Sequence, residues 1–228
     1  MILGVFLWLA LGAPLLAEVR PLAGGAEPLM TRSVGVARGS SASLFSDGAH
    51  FLARAPPLSD GPVPLRAPQG EVAQLLELIA RAEAGAAGHD AVQHGARIPP
   101  PRAPTAMTLG EIHQWIAATP GQPHAIGRYQ FIPPTLRRVA AEAGFSPGTR
   151  FTPEVQDALA LILLEEAGLT AFRDGTLDRR SFMARLARIW AGLPLPNGRS
   201  HYEGQAGNRA TMSWQAFEGG MARIWPAG

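Results

Sequence analysis

One carboxylate in this sequence stands where an apolar side chain is expected. Val72, Leu75, Leu76, Ile79 and Ala80 recur at helical spacing, and the next position on that face is Glu83. Burial disfavours an ionised carboxylate, and the negative end of a helix dipole acts in the same direction. Both effects lift the pKa towards neutrality and hold a proton on the group, as a general acid protonating a leaving oxygen requires. Gly85, just beyond, supplies a cap for such a helix. Glu71 and Glu77 fall off the stripe and read as solvated charges. The plainer alternative makes Glu83 a frayed helix-end residue that reaches water past Ala82 and Ala84. Periodicity leaves both open.

The elements that must position this group are helical. Thr108 and Glu111 form a capping box ahead of Leu109, Ile112 and Ile116. Pro134 starts a helix through Leu136, Val139, Ala140 and Ala143 that stops at Gly144. Thr152-Pro153-Glu154 opens another, carrying Val155, Ala158, Leu159, Ile162 and Leu163 to Gly168. Two more are expected over 180–190 and 214–223. No stretch after Gly70 alternates cleanly, so residues 70–228 predict a mainly α domain large enough to bury its own core.

The amino-terminal third reads differently. Residues 2–16 form an almost unbroken apolar run closing at Ala17, shorter than the ~20 residues of a membrane span. It predicts a signal segment over 1–17, cut after Ala17 or kept as a membrane anchor. Residues 18–69 are rich in Pro and Gly and show no sustained period, which predicts an irregular linker with one short hairpin around 34–52. Export to the periplasm or cell envelope is the expected localisation, with the linker as a tether.

Further motifs share an order. From Glu83-Ala84-Gly85 the chain reads Gly88-His89-Asp90-Ala91-Val92-Gln93-His94-Gly95, then Ala125-Ile126-Gly127-Arg128-Tyr129-Gln130-Phe131. Phe151-Thr152-Pro153-Glu154-Val155-Gln156-Asp157-Ala158-Leu159 and Ile189-Trp190-Ala191-Gly192-Leu193-Pro194 follow. This order resembles the phage lambda endolysin-like muramidases and lytic transglycosylases of the lysozyme-like superfamily, from about Gly70 to Gly220. The proline-rich spacer between Gly95 and Met107 departs from the family pattern.

The resemblance implies a lysozyme-like helical fold with its catalytic glutamate at Glu83. It also implies peptidoglycan glycan strands as the partner and the bond between N-acetylmuramic acid and N-acetylglucosamine as the target. In a lytic transglycosylase the muramyl 6-hydroxyl then attacks and leaves a 1,6-anhydro end. A hydrolytic lysozyme would use the same Glu83 but needs a second group, usually a carboxylate across the bond. Asp90 is the one acid shortly downstream, while Asp157 falls in a helix amino-terminal turn where it complements the dipole. A single catalytic carboxylate, and so the transglycosylase, is preferred. A non-catalytic peptidoglycan-binding module is the remaining alternative.

Substrate contacts are expected from Tyr129, Gln130, Tyr202, Asp90 and Arg128. Aromatic rings stack on sugar faces, and amides and hydroxyls bond to sugar hydroxyls and acetamides. The resemblance puts Gln130 near the acid. Arg128 and Tyr129 have a structural alternative as a turn that ties two loops together. Trp190, on an apolar face with Leu186 and Phe182, reads as core.

Composition narrows the field from the other side. The 228 residues contain no cysteine and no lysine, so disulfide scaffolds and cysteine-ligated zinc are excluded. Twenty arginines against 18 acids give a net charge of +2, and no run gathers them into the stripe of a nucleic-acid binder. The six histidines are scattered, and His89 with His94 lacks the spacing of a zinc protease. There is no Gly-x-Ser-x-Gly elbow and no phosphate-binding glycine loop. No metal and no cofactor are expected.

Overall fold

The computed structural model describes residues 65–204 and 208–226. The expected signal segment, the hairpin and the linker up to residue 64 lie outside the described residues. Residues 65–69 have no regular structure and lead into the first helix.

The domain is mainly α, as its periodicity predicts. Its helices are α1 (Gly70–Glu83), α2 (Leu109–Ala118), α3 (Pro133–Glu142), α4 (Pro153–Ala167), α5 (Leu169–Arg173), α6 (Arg179–Ile189) and α7 (Trp214–Ile224). Their starts are set locally. Thr108 and Glu111 form both halves of a capping box, and Thr152, Asp178 and Ser213 each accept a backbone N–H from the first turn of α4, α6 and α7. Each such cap is worth about 1 kcal/mol. The stops follow the glycines at 144 and 168. At the end of α1 the expectation shifts by one residue. Ala84 closes the helix with ordinary dihedrals, and Gly85, at φ 55°, opens a 3₁₀ turn over Gly85–Asp90. Helix α5 had no counterpart in the sequence pattern, because five residues are too few to show a period.

Helix α4 is the hub. Leu159, Ala160, Leu163 and Leu164 are all buried, and it packs against both α3 and α6. Helix α1 packs against α7, where Gly220 lies so close to Leu78 that a Cβ would come within 2.8 Å of its side chain. Phe131, Phe151, Phe182 and Phe217 fill the core between these layers. Each such burial contributes roughly 1.5–3 kcal/mol.

Isolated bridges replace extended strands among the described residues. Val92 pairs with Ile126, Ile126 with Phe131, and Pro194 with Ser200. The proline-rich spacer is pinned from both sides. Ile98 N–H donates to the Gln122 Oε1 at 2.9 Å, and its carbonyl accepts from Gln122 Nε2 at 2.9 Å and Trp115 Nε1 at 3.0 Å. The departure from the family pattern is thereby absorbed in an ordered loop.

Candidate active site

Glu83 is the last residue of α1, and the stripe beneath it is buried from Leu75 to Ala82. Its position is fixed by what meets the helix end. The N–H of Gly192 donates to Glu83 Oε1 at 2.8 Å, across 109 positions of sequence. Thr211 joins the same junction: its N–H donates to the Gly192 carbonyl at 2.9 Å, and its hydroxyl donates to the Ala82 carbonyl at 2.7 Å. Carbonyls in the last turn of a helix lack an intrahelical partner, so Thr211 satisfies one of them while holding the loop down. Gly192 permits this approach. A Cβ there would lie 2.5 Å from the Ala82 oxygen and 2.9 Å from Glu83 Oε1.

The Glu83 side chain is half-buried, with its carboxyl packed among protein atoms at a cavity of about 630 Å³. Burial pushes its pKa up to about 7, against the smaller opposing pull of the Gly192 N–H. A carboxylic acid that keeps its proton near neutrality and lines a cleft can act as an acid first and a base afterwards.

One wall of that cavity comes from the segment after α2. Gly127 has φ 78°, and a Cβ on it would lie 2.7 Å from Gln156 Oε1 and 2.8 Å from the Phe151 ring. Gln156, fully buried on α4, organises this wall. Its Oε1 accepts the Arg128 N–H at 2.8 Å, and its Nε2 donates to the carbonyls of His89 at 3.0 Å and Phe151 at 3.1 Å. The next residue, Asp157, accepts the Tyr129 hydroxyl. Burial and this hydrogen bond push the Tyr129 pKa strongly up, so the phenol stays protonated. Gln130 lies at φ 47°, a region costing a non-glycine residue about 1 kcal/mol or more, and donates its amide to the Gly127 carbonyl at 2.9 Å.

The expected contact residues divide. Tyr129, Gln130 and Tyr202 line the cavity with Glu83; Asp90 and Arg128 do not. Asp90 is exposed and accepts the Thr105 N–H at 2.8 Å, which ties the 3₁₀ turn to the spacer. Arg128 pairs with Glu77, so the alternative of a structural tie describes its position. Tyr129 contributes a ring that is only 2% exposed, its hydroxyl being engaged by Asp157. Tyr202 donates its hydroxyl to the Arg188 carbonyl, closing the opposite wall. Trp190 borders the cavity yet is 2% exposed, consistent with its reading as core. Among the described residues two carboxylates line the cavity, and the second is Glu166, held by two contacts from Arg138. Among the described residues no group of three or more His, Asp or Glu side chains is arranged to hold a metal ion.

A family model described as Endolysin matches residues 73–221, nearly the whole folded part. The chain belongs to the Endolysin family. Comparison with curated proteins and with solved structures finds no match. This endolysin-family domain is a cell-wall-degrading enzyme with peptidoglycan as its substrate.

Several site residues carried no role in the sequence reading. Gly192 stood within a motif, but nothing in one dimension says that its N–H meets Glu83. Thr211 lies in an unpatterned polar stretch. Gln156 did leave a signal: it is a polar side chain between Val155 and Leu159 on an apolar face, by the same logic that singled out Glu83.

Proposed function

We propose that this endolysin-family enzyme is a lytic transglycosylase that cleaves the β-1,4 bond between N-acetylmuramic acid and N-acetylglucosamine, with Glu83 as general acid and then base. With Oε1 held by the Gly192 N–H, the proton sits on Oε2 and faces the bond. Glu83 passes this proton to the glycosidic oxygen as the bond to the muramyl C1 breaks, releasing the 4-hydroxyl of N-acetylglucosamine. The muramyl 6-hydroxyl bonds to C1 and returns its proton to Glu83, leaving a 1,6-anhydro end and the enzyme as it began. The observation that carries this reading is the desolvated Glu83, with a pKa near 7, in the cavity. A hydrolytic muramidase is the second reading, since Glu166 borders the same cavity. It would require Glu166 to leave Arg138 before it could hold water or a glycosyl cation. We further propose that the enzyme is exported and works in the cell envelope.

Digestion of purified peptidoglycan followed by mass spectrometry tests the reaction. Anhydro ends support the transglycosylase, reducing ends the muramidase, and intact strands a binding module. Glu83→Gln is expected to lower lysis by about 10³-fold, within the range of a lost general acid. Unchanged lysis would remove Glu83 from the mechanism. Lysis by the native enzyme should fall as pH rises through about 7, as Glu83 loses its proton. Stability follows the same sign, because the folded pKa lies above the ordinary 4.5. Its contribution is complete below pH 4.5 and is lost by about pH 7, so Glu83→Gln should then be the more stable protein by up to roughly 3 kcal/mol.

A further inference from the structure

The charges lining the cavity are not distributed evenly. Arg138 is engaged by Glu166 and Glu142. On the wall built from the end of α6 and the loop before α7, Arg188 and Arg209 also line the cavity, and both are exposed. Among the described residues neither has a carboxylate within ion-pair distance, whereas Arg81, Arg102, Arg128, Arg138 and Arg199 all do. The Arg188 carbonyl accepts the Tyr202 hydroxyl, and Arg209 lies two residues before the Thr211 clamp on Gly192. With Glu166 paired to Arg138, this side of the cavity presents two guanidinium groups without a carboxylate partner among the described residues. The folded part as a whole is nearly neutral, with 15 arginines against 14 acids over residues 70–228.

A sugar backbone gives such a wall nothing to bind by charge. Its substituents do: each muramyl unit carries a lactyl group that is either a free carboxylate or the anchor of a peptide bearing several carboxylates. Guanidinium groups meet carboxylates with paired donors. We infer that Arg188 and Arg209 form a carboxylate-recognising subsite, so that the enzyme selects glycan strands with acidic substituents over neutral ones. This rests on the proposed cleavage of peptidoglycan at Glu83. It places the anionic stem on the α6 side of the bond.

The test uses the full chain and two substrates, soluble strands carrying stem peptides and the neutral oligomer chitohexaose. For R188Q/R209Q, KM on the peptide-bearing strands should rise about five- to tenfold with kcat little changed, as expected for two solvent-exposed charge contacts. The salt dependence of kcat/KM should flatten, because the long-range attraction is what salt screens. R188K/R209K, which keeps the charge but not the paired donors, should restore the salt slope and recover only part of the KM loss. Chitohexaose affinity, measured by calorimetry, should shift less than twofold. An unchanged KM and salt slope in R188Q/R209Q, with native cleavage intact, would overturn the subsite alone. Equal loss on both substrates would overturn it too, since the arginines would then be shaping the cavity. Absence of cleavage by the native enzyme would instead overturn the proposed reaction.

Discussion

The two walls of the cavity use their polar side chains in opposite ways. On the wall after α2, Tyr129 is engaged by Asp157, Gln130 by Gly127 and Arg138 by Glu166, while Arg128, outside the cavity lining, pairs with Glu77. On the wall from α6 to α7, the engaged groups are backbone, through Gly192, Thr211 and the Arg188 carbonyl, while two guanidinium groups lack a carboxylate partner among the described residues. The first wall is a rigid surface whose shape is fixed by internal bonds. The second is a clamp on Glu83 with charge to spare. A residue type that looks like a ligand contact, such as a tyrosine in a motif, can be used up as structure. Plain arginines, one in the last turn of α6 and one in an unpatterned loop, can be what remains available.

This contrast can be broken, and the strongest blow falls on the clamp. Gly192→Ala must displace either the loop or the end of α1, because its Cβ would overlap the Ala82 carbonyl. Lysis should fall about 100-fold, with a stability loss of about 1–3 kcal/mol from overpacking. The Glu83 pKa, followed through the pH profile of kcat, should rise further once the Gly192 hydrogen bond is gone. A fall in that pKa would mean that the N–H is not what steadies the carboxylate.

Next in size is the rigid wall. Gln156→Leu leaves the Arg128 N–H and the carbonyls of His89 and Phe151 without their buried partner, at a cost of about 2–4 kcal/mol by chemical denaturation. Its effect on kcat near the melting range should follow the loss of fold, whereas Gly192→Ala should impair catalysis in a folded protein. If Gln156→Leu left stability intact but removed activity, the two walls would not differ in the way described.

The smallest effect is expected at Tyr129→Phe. The ring stays and only the bond to Asp157 is lost, so stability should drop by about 1 kcal/mol and KM should change less than threefold. A large rise in KM would show that the hydroxyl serves substrate as well as Asp157, and that the first wall is not closed to ligand.

Much of this was legible in one dimension. The helices over 70–83, 109–118, 133–142, 153–167, 179–189 and 214–224 follow from apolar spacing and capping residues, both of which are properties of neighbours in sequence. Glu83 was found because a charge on an apolar stripe contradicts its surroundings. Asp90 lies in a segment without periodicity, which gives it no position. Nearness in sequence to Glu83 made it a candidate partner, but the 3₁₀ turn carries it out to solvent, where Thr105 takes its carboxylate. Glu166 reached the cavity instead, from the far end of α4, with no motif to announce it.

Local sequence sets that the domain is helical and where most of its helices begin and end, and it singles out Glu83 as a carboxylate on an apolar stripe. These are decided over a turn or two of chain, where backbone hydrogen bonding and apolar period act. Only the tertiary structure decided what that carboxylate meets and which charges are left over. Desolvation and ion pairing depend on distance through space, and the N–H of Gly192 lies 109 residues from Glu83 along the chain. The near-neutral composition averages over the domain, while the fold decides which arginines meet a carboxylate and brings two that do not, Arg188 and Arg209, to the cavity.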